Sequence, residues 1–396
     1  MTGPLNGFKV IDLSQVVSGP LGTMMLADQG ADVVKVEPQG IGDVTRVPRF
    51  WHNGIAGFYA NVNRNKRAIT LDLQQAAGRE VLLDMCREAD VFVQNFRPGA
   101  VDRLGVGYAD VHDVNPDIIY VSVSGFGPDG PYSGRPVLDP VIQGNTGMIS
   151  RQLNPEVPFP DLVRNLIADK STALTVAQAV TAALLARERG QGGQHIEIPM
   201  LDATMYFFWP DGMMDHTMLH EDTLPGVLLS TVYNLTECAD GKIVYFAISD
   251  QQRHGLFRAL GKPELVTDER FATLEAVSQP ENFVAMGQIV AEAFQSFPVD
   301  EILQRLVAED VPSGPVLDAE EAFSDPQVVH NETLVTWEHP EAGPIRQPRH
   351  PVRFSGTSLD DDWFVSAPSA DTEAVLLELG RSPEQVAALR NEGVIP

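Results

Sequence analysis

Short apolar runs alternate with helix-like segments along the first two hundred residues of the chain. The spacing predicts a buried strand at Lys9–Ser14, a helix at Leu21–Gln29 after the Gly19-Pro20 break, and a second strand at Ala31–Glu37. The same pattern then repeats, with strands predicted at Asp90–Gln94, Ile118–Ser124 and His195–Pro199 and a helix at Ala76–Ala89. Strands that alternate with helices in this way favour a parallel sheet with helices on its faces.

The strongest helix pattern lies at Thr172–Arg189, which is rich in alanine and leucine and is followed by Gly190. From about residue 225 the pattern changes. The predicted elements there are a strand at Gly241–Ile248 and helices near 252–260, 282–296 and 299–308. We therefore predict an α/β chain with a large Rossmann-like domain (1–205 and 331–396), a linker (206–224) and a smaller α+β domain (225–330).

The charge of the chain restricts its partners. Its 396 residues include 54 acids and 28 lysines and arginines, which gives a formal net charge of -26. Such a chain repels nucleic acid and anionic membranes, so we expect neither as a partner. A phosphate-bearing ligand would need a local group of cations, and the sequence offers Arg64, Lys66 and Arg67, with Arg97 and Arg103 further on.

Cysteine content and apolar segments indicate a cytoplasmic protein. Cys86 and Cys238 are too few for a disulfide framework in a chain of this length. The N-terminal residues lack the basic region and apolar stretch of a signal peptide. The longest apolar run, from Ala173 to Ala186, is too short and too polar to cross a bilayer.

Two common motifs occur in the chain but lack the context that their chemistry requires. The segment from Gly125 to Gly130 fits G-x-G-x-x-G, yet Pro128 and Pro131 prevent the helix that a dinucleotide fingerprint needs, which predicts a loop. His216 and His220 have the spacing of zinc ligands on a helix, but no glutamate follows the first histidine. We therefore expect no metal site.

Asp169 stands where an apolar run meets the predicted helix at 172–189. One interpretation is a helix N-cap, since an aspartate there accepts hydrogen bonds from the first free N–H groups. The other is a nucleophile, because a helix N-terminus keeps a carboxylate ionised at neutral pH and an apolar surround limits water. Composition alone favours the cap.

Segments along nearly the whole chain resemble the family III CoA-transferases, which include formyl-CoA transferase, carnitine CoA-transferase and α-methylacyl-CoA racemase. The matching segments are 5–20, 30–38, 63–73, 90–108, 124–139, the Asp169 segment, 190–203 and 311–316. The resemblance implies the family fold, in which two chains form an interlocked homodimer. It also implies an enzyme that moves CoA from an acyl-CoA to a carboxylic acid, with no permanently bound cofactor.

By this resemblance Asp169 matches the nucleophile of the family, which attacks the donor thioester and passes through a mixed anhydride and an aspartyl-CoA thioester. The resemblance also implies a set of CoA contacts, and the charges of two further residues extend it. The residues carried over are Val16, Leu71, Asn95, Phe96, Arg103 and Leu104, and the residues added for their charge are Arg97 and Lys66.

Departures from the family pattern bear on the alternatives. Racemase members have a histidine at the position of Leu138 and a glutamate at the position of Ser249, and racemisation needs an acid and a base on opposite faces of the α-carbon. Val17 replaces the glutamine of formyl-CoA transferase, which argues against formyl and oxalyl substrates. CoA transfer is the function that we expect. The alternatives are an α-methylacyl-CoA racemase or isomerase, and a non-catalytic acyl-CoA-binding protein in which Asp169 only caps a helix.

Overall fold

Six parallel strands form the central sheet of the protein. The structure, a computed structural model, describes residues 2–152, 157, 160–359 and 362–396. The strands are β1 (Lys9–Asp12), β2 (Asp32–Glu37), β3 (Lys66–Thr70), β4 (Val91–Gln94), β5 (Ile119–Ser124) and β6 (Gln194–Pro199). They lie in the order β3-β2-β1-β4-β5-β6, and every neighbouring pair is parallel. The predicted parallel α/β sheet is therefore confirmed.

The strand order reverses between β1 and β4. From β1 the chain moves outward through β2 to β3, and it then returns to β4 on the other side of β1. The loops that follow β1 and β4 consequently turn in opposite directions and leave a crevice at the carboxyl ends of these two strands. Crevices of this kind are where doubly wound sheets bind their ligands.

Both faces of the sheet are covered at the central strands, where successive residues point to opposite sides and enter two separate cores. Phe92 and Tyr120 enter one hydrophobic core, where their rings stack with centroids 4.9 Å apart. Val91, Val93 and Val121, their neighbours along the same strands, enter the second core. The apolar runs of the sequence are thus the runs expected of strands covered on both sides.

The chain divides into two units, and the larger one comprises Met1–Ser230 and Glu332–Pro396. Its helices are Ser18–Asp28, Gly57–Asn63, Ala76–Arg87, Ala100–Leu104, Tyr108–Val114, Asp139–Asn145, Met148–Arg151, Ile167–Ala186, Met200–Gly212, Thr372–Glu378 and Pro383–Asn391. Outside the sheet it has two short hairpins, formed by Trp51–His52 with Ile55–Ala56 and by Leu334–His339 with Gly343–Pro348.

Two helices of the larger unit cross at very short distance. A Cβ atom on Gly22 of the helix Ser18–Asp28 would lie 2.8 Å from Val176 Cγ1 and 3.0 Å from the Ala173 carbonyl oxygen of the helix Ile167–Ala186. Only glycine fits at such a crossing, because any larger side chain would overlap the neighbouring backbone. The crossing sets the position of Ile167–Ala186, which carries Asp169 and is called the Asp169 helix below.

The tail of the chain completes the first core. Val375, Leu376, Val386 and Ile395 pack with the side chains of the central strands. The last helix starts with the predicted capping box, in which the Ser382 hydroxyl accepts a hydrogen bond from the Gln385 N–H and the Gln385 side chain accepts one from the Ser382 N–H.

The smaller unit, Thr231–Asn331, has its own sheet and core. Its strands, Thr236–Glu237, Lys242–Tyr245 and Ser313–Pro315, pair antiparallel. Its helices are Asp250–Ala259, Leu274–Val277, Pro280–Phe294, Val299–Ala308, Ala319–Ser324 and Pro326–His330. Phe257 and Phe294, from two of these helices, are buried in its core together with Phe271, as expected for helices with one apolar face. None of the helices in the described parts of either unit is long and apolar enough to span a bilayer.

Candidate active site

Asp169 lies inside the first turn of its helix. The helix begins at Ile167, five residues before the predicted start, and the residue in the N-cap position is Leu166. The interpretation of Asp169 as an N-cap is therefore wrong. Among the described residues none donates a hydrogen bond to the Asp169 carboxylate, and the residue is only 7% exposed. A buried acid without such donors is not explained by a capping role.

The capping role belongs to Asp139, the first residue of the helix Asp139–Asn145. Its carboxylate accepts a hydrogen bond of 2.9 Å from the backbone N–H of Asp169. Its other oxygen accepts a hydrogen bond of 2.6 Å from Gln143 Nε2. Gln143 Oε1 in turn accepts one from the Val163 N–H. This chain of contacts fixes the side chain of Asp139 beneath the Asp169 turn.

The surroundings of Asp169 oppose its ionisation. Burial, and secondly the negative charge of Asp139, raise the pKa of Asp169 to about 7. The expectation that the helix N-terminus keeps this carboxylate fully ionised at neutral pH is therefore wrong. The N–H groups of the first turn do not reach its side chain, whereas desolvation and a like charge both act on it. Asp169 instead changes its charge near neutral pH.

A cavity of about 380 Å³ opens beside Asp169 at the carboxyl ends of β1, β4 and β5. It occupies the crevice where the strand order reverses. Its lining residues are Gln15, Val16, Ser18, Asn95, Phe96, Arg97, Pro98, Val123, Ser124, Gly125, Ser133, Arg135, Val137, Leu138, Asp169 and Met200. Among these described residues Asp169 is the only carboxylate, and none is a histidine.

The structure brings five of the predicted site residues together, since Val16, Asn95, Phe96, Arg97 and Asp169 all line this cavity. They come from three separate parts of the chain, which the loops after β1 and β4 and the Asp169 helix carry to one place. They converge because the carboxyl ends of parallel neighbouring strands lie at the same edge of the sheet.

Asn95 has a structural role in the wall of the cavity. Its Oδ1 accepts a hydrogen bond of 2.8 Å from the Gln15 N–H, and its Nδ2 donates one of 2.7 Å to the Gln15 carbonyl. The side-chain amide therefore pairs with the backbone of the β1 loop and holds it against the β4 loop.

Lys66 lies away from the cavity and is completely buried. Its Nζ donates hydrogen bonds to the Asp12 carboxylate at 2.8 Å, to the Pro20 carbonyl at 2.7 Å and to Asn63 Oδ1 at 2.8 Å. An ammonium has three N–H donors, so all of them are satisfied within the protein. The geometry gives no support to Lys66 as a phosphate ligand.

The neighbours of Lys66 in the sequence are also paired. The Arg64 guanidinium lies 2.7 Å from the Asp28 carboxylate, and the Arg67 guanidinium lies 2.7 Å from the Asp32 carboxylate. Together with Lys66 they do not form the basic cluster that the sequence predicts. The reason is that the strand Lys66–Thr70 lies next to β2, which brings these three cations close to Asp12, Asp28 and Asp32.

Three further residues of the predicted set lie outside the cavity lining. Leu71 is 1% exposed and belongs to the first core. Leu104 packs against the same core, and Arg103 is exposed on the short helix Ala100–Leu104. Their contact with a ligand stays a prediction.

Arg135 and Asp139 are site residues that sequence reasoning did not select for a role. Arg135 lines the cavity with Arg97, and its guanidinium lies 3.6 Å from the centre of the Tyr132 ring. Two arginines thus supply local positive charge in a strongly acidic protein. The sequence feature that could have pointed to Asp139 is the Asp139-Pro140 pair, since proline is common in the first turn of a helix.

The glycine-rich segment from Gly125 to Gly130 is a loop, as predicted. Gly127 has a φ of 102°, a backbone conformation that side chains other than hydrogen rarely allow. Gly125 lines the cavity, and the loop leads from β5 to the helix that carries Asp139.

Comparison with known proteins identifies relatives over the full length of the chain. A family model described as CoA-transferase family III matches residues 5–372. An acetyl-CoA:oxalate CoA-transferase of Acetobacter aceti is 32% identical, over 100% of this chain and 97% of the relative. A formyl-CoA:oxalate CoA-transferase of Streptomyces avermitilis is also 32% identical, over 100% of both.

The fold has solved counterparts as well. The crystal structure of a CAIB/BAIF family protein from Brucella suis superposes with a TM-score of 0.81 and is 30% identical. The match covers 96% of this chain and 100% of that protein. The resemblance seen in the sequence segments is therefore confirmed at the level of the whole chain and of the fold.

Proposed function

The chain belongs to family III of the CoA-transferases, and we propose that it moves CoA from an acyl-CoA donor to a carboxylic acid acceptor through covalent intermediates on Asp169. The observation that carries this proposal is a single buried carboxylate beside a cavity of about 380 Å³ at the ligand-binding edge of the sheet. CoA thioesters are the substrates of this family. A permanently bound cofactor has no part in the proposal.

The first half of the reaction transfers CoA to the enzyme. The ionised Asp169 carboxylate attacks the thioester carbonyl of the donor, which forms a mixed anhydride and releases the CoA thiolate. The thiolate then attacks the aspartyl carbonyl of this anhydride. The donor acid leaves with one oxygen of the original Asp169 carboxylate, and Asp169 remains as an aspartyl-CoA thioester.

The second half reverses these steps with a new acid. The carboxylate of the acceptor attacks the aspartyl thioester, which forms a second anhydride and releases the thiolate once more. The thiolate attacks the acyl carbonyl of the acceptor, so that the new acyl-CoA leaves. The Asp169 carboxylate is regenerated with one oxygen atom from the acceptor.

The burial of Asp169 serves this chemistry in two ways. An acid that is 7% exposed is shielded from bulk water, which would hydrolyse an anhydride. A carboxylate whose pKa is about 7 is also a more basic and hence stronger nucleophile than an exposed aspartate, while a large fraction remains ionised at neutral pH. Arg97 and Arg135 supply the positive charge that carboxylate and phosphate groups of the substrates need.

Racemisation at the α-carbon fits the cavity less well. It requires one group that removes a proton and another that returns a proton on the opposite face. Leu138 lies in the cavity wall at the position of the racemase histidine, and its side chain cannot titrate. Among the described lining residues Asp169 is then the only acid or base near neutral pH, which supports transfer over racemisation.

The acids exchanged are a separate part of the proposal. The named relatives act on oxalate with acetyl-CoA or formyl-CoA. Val17, in place of the glutamine of formyl-CoA transferase, is 2% exposed and offers no polar side-chain group. We therefore propose carboxylic acids other than formate and oxalate as the preferred pair.

We also propose that the protein works as an interlocked homodimer in the cytoplasm. Family membership supports the dimer, and so does a row of exposed apolar side chains after β6. Tyr206 is 85% exposed, Leu219 91% and Leu224 89%. Apolar side chains exposed in such number mark an interaction surface. Sedimentation velocity tests this, with a dimer expected and a monomer at micromolar concentration contradicting it.

Intact-protein mass spectrometry tests the proposed reaction. The protein is incubated with a panel of acyl-CoAs without an acceptor acid, and any adduct is located by digestion. A CoA adduct on the peptide that carries Asp169 is expected. Tight CoA binding without any adduct on that peptide would instead favour the non-catalytic alternative.

A further inference from the structure

The loop after β1 holds a valine in a strained conformation at the wall of the Asp169 cavity. Val16 has a φ of 69°, in the left-handed region. A β-branched side chain is a genuine outlier there, because its Cβ substituents crowd the backbone. Such a conformation persists only where the surrounding structure enforces it, and it is common at functional sites.

The structure enforces this conformation through the Val16 backbone N–H. That group donates to the Asp43 carboxylate, with distances of 3.2 and 3.4 Å to its two oxygens. Asp43 is 0% exposed and is held in turn by Thr45, whose N–H and hydroxyl both donate to Asp43 Oδ1. The acceptor that meets Val16 is therefore itself fixed.

A buried ion pair links Asp43 to the start of the same loop. Lys35 Nζ lies 3.0 Å from Asp43 Oδ2, and both side chains are 0% exposed. The same Lys35 Nζ donates a hydrogen bond of 2.8 Å to the Ser14 carbonyl. Lys35 and Asp43 thus bridge the Ser14 C=O and the Val16 N–H, while Asn95 binds the Gln15 backbone between them.

Buried ion pairs contribute little net stability, because desolvation of both charges offsets their attraction. Their presence next to a strained loop therefore calls for a reason other than stability. We propose that Asp43 is a positioning residue, which holds Val16 in its left-handed conformation and so shapes the wall against which CoA binds. The proposal rests on the proposed function, since it takes CoA as the ligand of this cavity.

A double-mutant cycle between Asp43 and Val16 tests this role. Asp43→Asn keeps the size of the side chain but removes the charge that binds the Val16 N–H and Lys35. Val16→Gly allows φ near 69° without strain, so that the loop no longer depends on Asp43. The matched control is Asp28→Asn, because Asp28 is also a buried acid in an ion pair, here with Arg64, but does not line the Asp169 cavity.

CoA affinity is measured by isothermal titration for each variant, together with thermal unfolding. Asp43→Asn should weaken CoA binding about tenfold in the protein with Val16, but by less than about threefold in the V16G background. The control Asp28→Asn should change CoA affinity by less than about twofold. Equal weakening in both backgrounds would overturn the positioning role. If Asp43→Asn does not fold, Asp43→Glu, which keeps the charge beside Lys35 but displaces the carboxylate, is carried through the same cycle.

Hydrogen exchange separates failure of this inference from failure of the proposed function. Without any ligand, Asp43→Asn should increase amide exchange in the peptide containing residues 14–18, whereas Asp28→Asn should leave it unchanged. If the wild-type protein shows no CoA binding but this difference in exchange is present, the positioning of Val16 stands and the ligand assignment fails. Unchanged exchange in Asp43→Asn overturns the inference whatever the protein binds.

Discussion

The backbone N–H of Asp169 donates a hydrogen bond of 2.9 Å to the carboxylate of Asp139, so two buried acids meet at the first turn of one helix. Asp139 satisfies the N–H group and at the same time places a negative charge beside the Asp169 carboxylate. Asp139 thus caps the start of the helix and, second to burial, also raises the pKa of Asp169.

Replacement of Asp169 should abolish CoA transfer and leave the fold and CoA binding intact. In Asp169→Ala and Asp169→Asn we expect turnover to fall by about three orders of magnitude or more, as is usual when a covalent nucleophile is removed. Asp161→Asn, which changes an exposed aspartate of the same unit, is the control and should keep wild-type turnover. Turnover within tenfold of wild type in Asp169→Ala would exclude the nucleophile role.

The rate of the first acyl transfer should rise with pH through about 7. The attacking form of Asp169 in the proposed reaction is the carboxylate, and burial and Asp139 raise the pKa of this group to about 7. Asp139→Asn removes one of these two causes and should move the rise to lower pH. Pre-steady-state formation of the aspartyl-CoA adduct, followed across pH 5 to 9 (about two pH units on either side of the pKa), gives both profiles. Identical profiles for the two proteins would show that Asp139 does not act on the nucleophile.

Asp169 should also make the folded protein less stable at alkaline pH. Its pKa is higher in the folded chain, about 7, than the ordinary value of 3.8, so folding favours the protonated form. The folded state therefore loses relative stability as pH rises from about 4 to about 7, by up to about 4 kcal/mol. The asparagine of Asp169→Asn is neutral at every pH in this range. This variant should therefore be more stable than wild type at pH 8 but not at pH 4. Chemical denaturation at both pH values measures the difference, and equal differences at both would contradict the raised pKa.

Lys66 should prove to be a structural residue. Lys66→Met leaves the buried Asp12 carboxylate without its closest cation, at 2.8 Å, and should lower the free energy of unfolding by about 3–5 kcal/mol. In molecules that remain folded, the KM for acyl-CoA should stay within about threefold of wild type, because Lys66 does not line the cavity. A large rise in KM with unchanged stability would restore Lys66 as a CoA ligand.

Arg97 and Arg135 should act on substrate binding. Both line the cavity, and neither makes an ion pair among the described residues. Replacement of either by Met should raise the KM for acyl-CoA or for the acid about tenfold, with a smaller effect on kcat, since a charge-assisted hydrogen bond contributes about 1.5–3 kcal/mol. The exposed Arg164, which pairs with Asp161, supplies the control as Arg164→Met. Equal KM values in the arginine variants and the control would exclude this role.

The sequence predicts the strands and the main helices well, because buried parallel strands have long apolar runs and their helices have clear ends. It predicts the charge pattern poorly. Arg64 and Lys66 look like a basic surface, but their partners Asp28 and Asp12 are more than thirty residues away in the chain. Such pairs follow from strand order, which local patterns do not contain.

The start of the Asp169 helix illustrates the same limit. No typical N-cap residue precedes this helix in the sequence. The cap is supplied instead by Asp139 on another helix. The raised pKa of Asp169 depends on that contact and on burial. Family resemblance pointed to Asp169 as the proposed nucleophile, whereas a description of its surroundings needed the three-dimensional structure. The strained Val16 had no sequence signal, because valine is the last type of residue expected at a positive φ.

Oxygen exchange into Asp169 tests the central claim most directly. Once a donor and acceptor pair is found, turnover is run with an acceptor acid whose carboxylate carries heavy oxygen, and the peptide containing Asp169 is weighed after digestion. Each cycle through the two anhydrides should leave one acceptor oxygen in the Asp169 carboxylate, so the peptide gains heavy oxygen as turnover proceeds. Turnover that leaves the Asp169 peptide unlabelled would contradict covalent transfer through this residue.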